Sequence, residues 1–199
     1  MNNYQVNVRN NSHASFKLCC YRQRHDSAPG VYPLAWIARS FLSHTQVVLY
    51  WQESYGFIWA ETGTAQLQPG QLLLPAQNVP ANPETANYIT LQNNGYSFFS
   101  PVSNETPGVL TIDVAANIRP GTFAVGYSIG DNPAFAAGAM PGVRNTFIPS
   151  SDIYLTVGDY LQGEVLDASV ITNNVRLSFP AGSSSLDVTL NEDFTWSVR

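Results

Sequence analysis

The sequence predicts an all-β protein, an antiparallel two-sheet sandwich of jelly-roll type with little helix, built as a single domain over residues 1–199. Three observations carry this. Short β-branched and aromatic runs alternate apolar and polar residues, the period of a half-buried strand. Gly, Pro and Asn break these runs at short intervals along the chain. The chain is 44% hydrophobic, 12% aromatic and only 12% charged, which supplies a core and argues against disorder.

The elements follow from the same signals. Strands are expected at Tyr4–Arg9, Phe16–Tyr21, Leu34–Ala38, Gln46–Gln52, Phe57–Glu61, Gln71–Leu74, Tyr88–Gln92 and Tyr96–Phe99. They continue at Val109–Val114, Thr122–Ile129, Asn145–Ile148, Ile153–Val157, Glu164–Ile171, Arg176–Phe179, Leu186–Leu190 and Thr195–Val198. Asn94-Gly95 marks a hairpin, because both residues tolerate positive φ. Gln68-Pro69-Gly70, Thr106-Pro107-Gly108 and Arg119-Pro120-Gly121 are turns in which Pro presets φ and Gly takes the left-handed position. Asn173-Asn174 and Asn191-Glu-Asp193 read as further hairpin tips. The best helix candidate is Asn132–Met140, with Asp131 as cap and Pro133 in the first turn. Leu34–Leu42 reads equally as helix or strand, and Pro75–Ala86 reads as a long surface loop.

Composition removes several classes of partner. Net charge is −5, Lys17 is the only lysine, and the arginines are scattered. Nucleic acid and anionic membrane need a clustered basic footprint, so neither is an expected partner. No run reaches the ~18 apolar residues of a spanning helix, and the start of the chain carries no signal-peptide pattern. A location in the cytoplasm, or export without a cleaved signal, is the expectation. The sequons at Asn10 and Asn104 are then chance matches. A disulfide between Cys19 and Cys20 would need a strained geometry, since adjacent side chains of a strand point to opposite faces. One buried and one outward thiol is expected, the outward one open to pairing between copies.

No catalytic set emerges. Gly126-Tyr-Ser-Ile-Gly130 matches the nucleophile-elbow pattern. However, His13, His25 and His44 all precede Ser128, whereas that pattern needs a following His. His25-Asp26 sits in a polar loop, Glu53 with Glu61 and Asp159 with Glu164 are isolated acids, and Asp159, Glu164 and Asp167 form no calcium loop. No cofactor and no metal are expected. Trp36, Trp51 and Trp59 cluster between strong strand signals, which assigns them to the core, with Glu61 available to accept the Trp59 indole hydrogen bond. The alternative is a sugar-stacking platform of Tyr50, Trp51 and Tyr55, in which adjacent Tyr50 and Trp51 face opposite sides of a strand.

Leu34-Ala-Trp-Ile-Ala38, Tyr50-Trp51 and Tyr55-Gly-Phe-Ile-Trp-Ala-Glu-Thr-Gly63 resemble the rhizosphere-expressed RhiA-like proteins of soil bacteria. The segments Val6–Ser12, Tyr160–Asp167 and Asp193–Val198 are similar too, so the resemblance runs the length of the chain. It implies a bacterial context at or outside the cell surface and brings no site residues. The function expected from the sequence is a non-catalytic accessory protein, self-associating as a homo-oligomer or adhesive. Glycan binding is the alternative, and a hydrolase of unknown type stands third. Few charges weaken repulsion between copies, and sandwich edges offer unpaired backbone groups, which supports self-association.

Overall fold

The computed structural model describes residues 3–24, 30–64, 66–92, 94, 97–99, 102, 106–149 and 152–199. Among them there are strands but no helix. The strands are β1 (Asn3–Asn10), β2 (Phe16–Arg22), β3 (Val31–Pro33), β4 (Ile37–Phe41), β5 (Gln46–Gln52), β6 (Tyr55–Glu61), β7 (Gln77–Ala81), β8 (Tyr88–Gln92) and β9 (Ser97–Phe98). They continue as β10 (Leu110–Val114), β11 (Phe123–Ile129), β12 (Asn132–Gly138), β13 (Arg144–Phe147), β14 (Ile153–Gly158), β15 (Asn174–Leu177), β16 (Ser185–Leu190) and β17 (Trp196–Val198).

The chain is all-β, but its strands form four sheets rather than two. Sheet I has the order β17-β16-β1-β5 and sheet II the order β15-β14-β2-β4. Sheet III runs β3-β12-β11-β6-β7, and sheet IV runs β13-β10-β8-β9. The first and last parts of the chain therefore share sheets I and II, while the middle builds sheet IV and most of sheet III. The expectation of a purely antiparallel fold also needs correction, since β1–β16 and β8–β10 are parallel. Parallel neighbours need a long crossover, and pattern within a strand cannot reveal one. At one side of sheets I and II, β4 approaches β5, and at the other β15 approaches β17.

The helix expected at Asn132–Met140 is strand β12. Gly130 and Asp131 take φ 55° and 64°, and Ile129 pairs with Asn132. That is a two-residue hairpin turn with both centres left-handed, so Asp131 turns the chain instead of capping a helix. Pro133 sits where the register of β11 against β12 shifts, a position at which a missing N–H is tolerated. Ala134 and Ala137 of β12 enter the main core, while Ala136 joins Ala60 of β6 and Ala124 of β11 in a second cluster against Leu34, Leu67, Leu73 and Val165. Small residues are needed because another stretch of chain crosses sheet III on this side. Gln71–Leu74 and Glu164–Ile171 supply that stretch and make only isolated bridges, Leu72 to Glu164 and Leu34 to Val165. The Pro75–Ala86 loop contains edge strand β7, the Leu34–Ala38 strand is shifted to β4, and Asn173-Asn174 leads into β15 rather than topping a hairpin. The three Pro-Gly turns hold, with Gly70, Gly108 and Gly121 all at positive φ. Gly95 of the expected Asn-Gly hairpin and Asn104 of the second sequon lie outside the described residues.

One apolar core joins the four sheets. Sheet I contributes Val6, Val8, Leu49, Leu186, Val188 and Leu190, and sheet II contributes Leu18, Cys20 and Leu155. Phe57, Val125 and Phe135 enter from sheet III, and Ile89, Leu91 and Ile112 from sheet IV. Trp36, Trp51 and Trp59 are 0%, 2% and 7% exposed, as expected of core residues. Trp36 Nε1 donates to the Ile129 carbonyl at 2.8 Å, and its ring meets Trp51 edge-on at 5.2 Å, so it ties sheet III to sheet I. Trp59 donates to Gln77 Oε1 at 3.0 Å, not to Glu61. The same Gln77 oxygen accepts from the Phe98 N–H at 2.8 Å and so links β6, β7 and β9.

Both cysteines are fully buried, which corrects the expectation of one outward thiol. Sheet II is covered on both faces. Cys20 enters the main core, while Cys19 packs with Tyr21, Ala35 and Leu166 in a third cluster.

Candidate functional site

The residues of the expected stacking platform, Tyr50, Trp51 and Tyr55, are not assembled into one surface. Tyr50 and Trp51 point to opposite faces of β5, one 62% and the other 2% exposed. Trp51 is inside, stacked on Tyr4 with centroids 5.5 Å apart and edge-on to Phe179 at 6.0 Å. Its Nε1 is buried without a hydrogen-bond partner among the described residues. Tyr55 is half-buried, and its hydroxyl donates to Glu53 Oε1 at 2.9 Å.

Trp51 and Tyr55 border a charged cluster that sequence reading missed. Arg22, 2% exposed, donates from Nη2 to Glu53 Oε2 at 2.8 Å and lies over the Trp36 ring at 4.9 Å. Asp152 is paired with Arg176 beside them. Burial and the neighbouring Glu53 carboxylate both push the Tyr55 phenol well above its ordinary range. These charges are matched in pairs, with Arg22 buried and Arg176 more than half exposed, so the cluster reads as a strut reaching from core to surface between β2, the β5–β6 connection and β14–β15.

Tyr50 belongs to a different surface, the outer face of sheet I. The alternation that buries Val6, Val8, Leu186 and Val188 turns Gln5, Asn7, Arg9, Asp187 and Thr189 outward. Register sets Gln5 beside Tyr50, Asn7 between Val48 and Asp187, and Arg9 between Gln46 and Thr189. Gln5 Nε2 donates to Asn7 Oδ1 at 2.9 Å, and Asn7 Nδ2 donates to Asp187 Oδ1 at 2.8 Å, which fixes the row of side chains. Beside it lies an open recess of about 390 Å³ lined by Asn7, Arg9, Asp187, Ser197 and Arg199 among others. Arg9 and Arg199 have no ion-pair partner among the described residues, so both can donate to a ligand. Sequence alternation marked these residues as one side of each strand. Only the pairing of β16 with β1 on one side and with β17 on the other places them on one face.

The other sequence candidates separate. Ser128 lies within β11, 1% exposed, and its Oγ donates to Asn78 Oδ1 at 3.0 Å, so the Gly-x-Ser-x-Gly match is not an elbow. Gly126 is required there because an added Cβ would stand 2.0 Å from the Phe135 carbonyl oxygen. Glu53 and Glu61 flank opposite ends of β6. Glu164 accepts the Leu161 N–H at 2.8 Å and Asp167 the Ser169 N–H at 3.0 Å, both as local turn acceptors. His25 and Asp26 lie outside the described residues. Among the described residues no three His, Cys, Asp or Glu side chains group as metal ligands, and no helix is long and apolar enough to cross a membrane.

No solved structure matches the chain. Protein RhiA of Rhizobium leguminosarum bv. viciae is 26% identical over 200 residues, covering 98% of this chain and 86% of that protein. The RhiA family model matches residues 1–199, and with that full-length match the chain belongs to the RhiA family.

Proposed function

We propose that the protein is a non-catalytic, surface-adhesive protein that binds glycans through the outer face of sheet I. The observation that carries this reading is Tyr50, 62% exposed beside the fixed Gln5–Asn7–Asp187 row. An exposed ring offers an apolar face to sugar C–H groups, and the adjacent amides and carboxylate offer partners to hydroxyls. Arg9 and Arg199 at the recess favour sugars carrying a carboxylate. A glycan array, followed by titration of the best ligand, tests this. Tyr50→Ala and Asn7→Ala should each abolish or strongly weaken binding while leaving the fold intact. An array without any bound glycan, or binding that both variants retain, refutes it.

Self-association is a second reading, supported by β13. It is the edge strand of sheet IV, with Met140, Val143 and Ile148 exposed around it. Light scattering across a concentration series tests it. A monomer mass at every concentration removes this reading.

A further inference from the structure

Loops 11–15 and 42–45 lie together beyond the ends of β1 and β4. Between them His13 Nδ1 and His44 Nε2 stand 3.1 Å apart, with ring planes at 73°. Both side chains are exposed. The two residues are 31 apart in sequence, so nothing local makes them meet.

A buried frame makes them meet. Asn10 is 0% exposed, and its Nδ2 donates to the Ala14 carbonyl at 2.9 Å and the Leu42 carbonyl at 3.1 Å. Its Oδ1 accepts from Ser12 N at 2.9 Å and Ser12 Oγ at 2.7 Å. Ser43 Oγ donates to the Ser12 carbonyl at 2.8 Å, and Ser43 N donates to Ser15 Oγ at 3.0 Å. The residues on either side of each histidine are thus anchored. His44 itself holds φ 55°, a left-handed conformation uncommon outside glycine. An exposed hydrogen bond between two imidazoles gains little over water and does not account for such a frame.

We propose that His13 and His44 together bind one divalent transition-metal ion of the zinc class. Two nitrogens at about 2.0–2.1 Å from a tetrahedral ion stand roughly 3.3 Å apart, close to the spacing present here. Each ring turns to aim its lone pair at the ion. Imidazole suits Zn, Cu and Ni, whereas Ca and Mg require oxygen ligands. Residues 10–15 and 41–45 include no carboxylate, so hard cations find no anionic partner in these loops. With two protein ligands, water completes the coordination, and the ion is exchangeable rather than structural.

The test uses the full chain without a histidine tag. Zn²⁺ binding is measured by calorimetry, and Cu²⁺ coordination by paramagnetic resonance. The expected result is one ion per chain and a spectrum with two equatorial nitrogens. His13→Ala and His44→Ala should each weaken Zn²⁺ binding at least about tenfold, and His25→Ala should not. Thermal melts without metal should show both site variants folded, since the rings are exposed. Absence of binding by the wild-type chain, loss only in His25→Ala, or dependence on just one of His13 and His44 would overturn the shared site.

Discussion

The Arg22 guanidinium lies 4.9 Å over the Trp36 ring, and the same group donates to Glu53 at 2.8 Å. A cation on a ring face and a carboxylate at its edge compensate a charge that is 2% exposed. Breaking a buried pair from one side costs about 3–5 kcal/mol. Glu53 retains 22% of its side-chain exposure, so Glu53→Gln should cost about 2–3 kcal/mol. Replacing both residues, Arg22→Met with Glu53→Gln, should cost less than the sum of the singles. Urea unfolding of all four chains measures this coupling, and strict additivity would mean that the pair contributes nothing specific.

Trp36 is the joint between sheets I and III. Trp36→Ala removes its packing on Trp51 and its bond to Ile129, and should destabilise by about 3–5 kcal/mol. Trp36→Phe keeps a ring but leaves the Ile129 carbonyl without the indole donor, which should cost about 1–3 kcal/mol. Denaturant midpoints separate the two. An Ala variant within ~0.5 kcal/mol of wild type would show that Trp36 does not join the sheets.

Much of this was legible because strand period is local. Tyr4–Arg9, Gln46–Gln52 and Leu186–Leu190 announced themselves by alternation, and the three core tryptophans by their neighbours. What sequence withheld is non-local. The parallel pairing of β1 with β16 creates the outer face of sheet I, and no residue in either strand encodes its partner. The Ala-rich β12 carries helical propensity, and burial between β3 and β11 overrides it. Arg22 and Glu53 lie 31 positions apart, as do His13 and His44, so neither constellation has a spacing to find. The stacking platform failed for a readable reason, since adjacent Tyr50 and Trp51 had to face opposite ways.

Cys19 and Cys20 should be inert in the folded protein. Burial pushes both thiols up, Cys20 to about 12, although the nearby Arg22 acts in the opposite direction on it. Thiolate is the reactive form, so Ellman's reagent should label neither in the native protein and both in denaturant. A non-reducing gel should show no cross-linked dimer. The unfolded chain loses thiol protons above about pH 8.5, while folded Cys20 holds its own until about 12. The resulting contribution to stability is complete below the unfolded value and declines as pH rises through that window. Rapid native labelling of one thiol would show that it faces out.

Asp113 and Arg144 predict the opposite dependence, at acid pH. Arg144 donates from Nε to Oδ1 at 2.8 Å and from Nη2 to Oδ2 at 2.9 Å, joining β10 to β13. These bonds, with a further one from the Tyr88 hydroxyl, hold the Asp113 carboxyl below its ordinary range against a smaller opposing effect of burial. A lowered folded value means the stabilisation is present above the unfolded carboxyl value of about 3.9 and is lost as pH falls through the folded one. Arg144 is 53% exposed, so solvent screens the pair, and Arg144→Ala should cost only about 0.5–1 kcal/mol at neutral pH. That difference between wild type and variant should shrink below about pH 4. Thermal melts from about pH 7 to about pH 3 measure it, and a gap that stays constant across the series would show that Arg144 acts through packing rather than through Asp113.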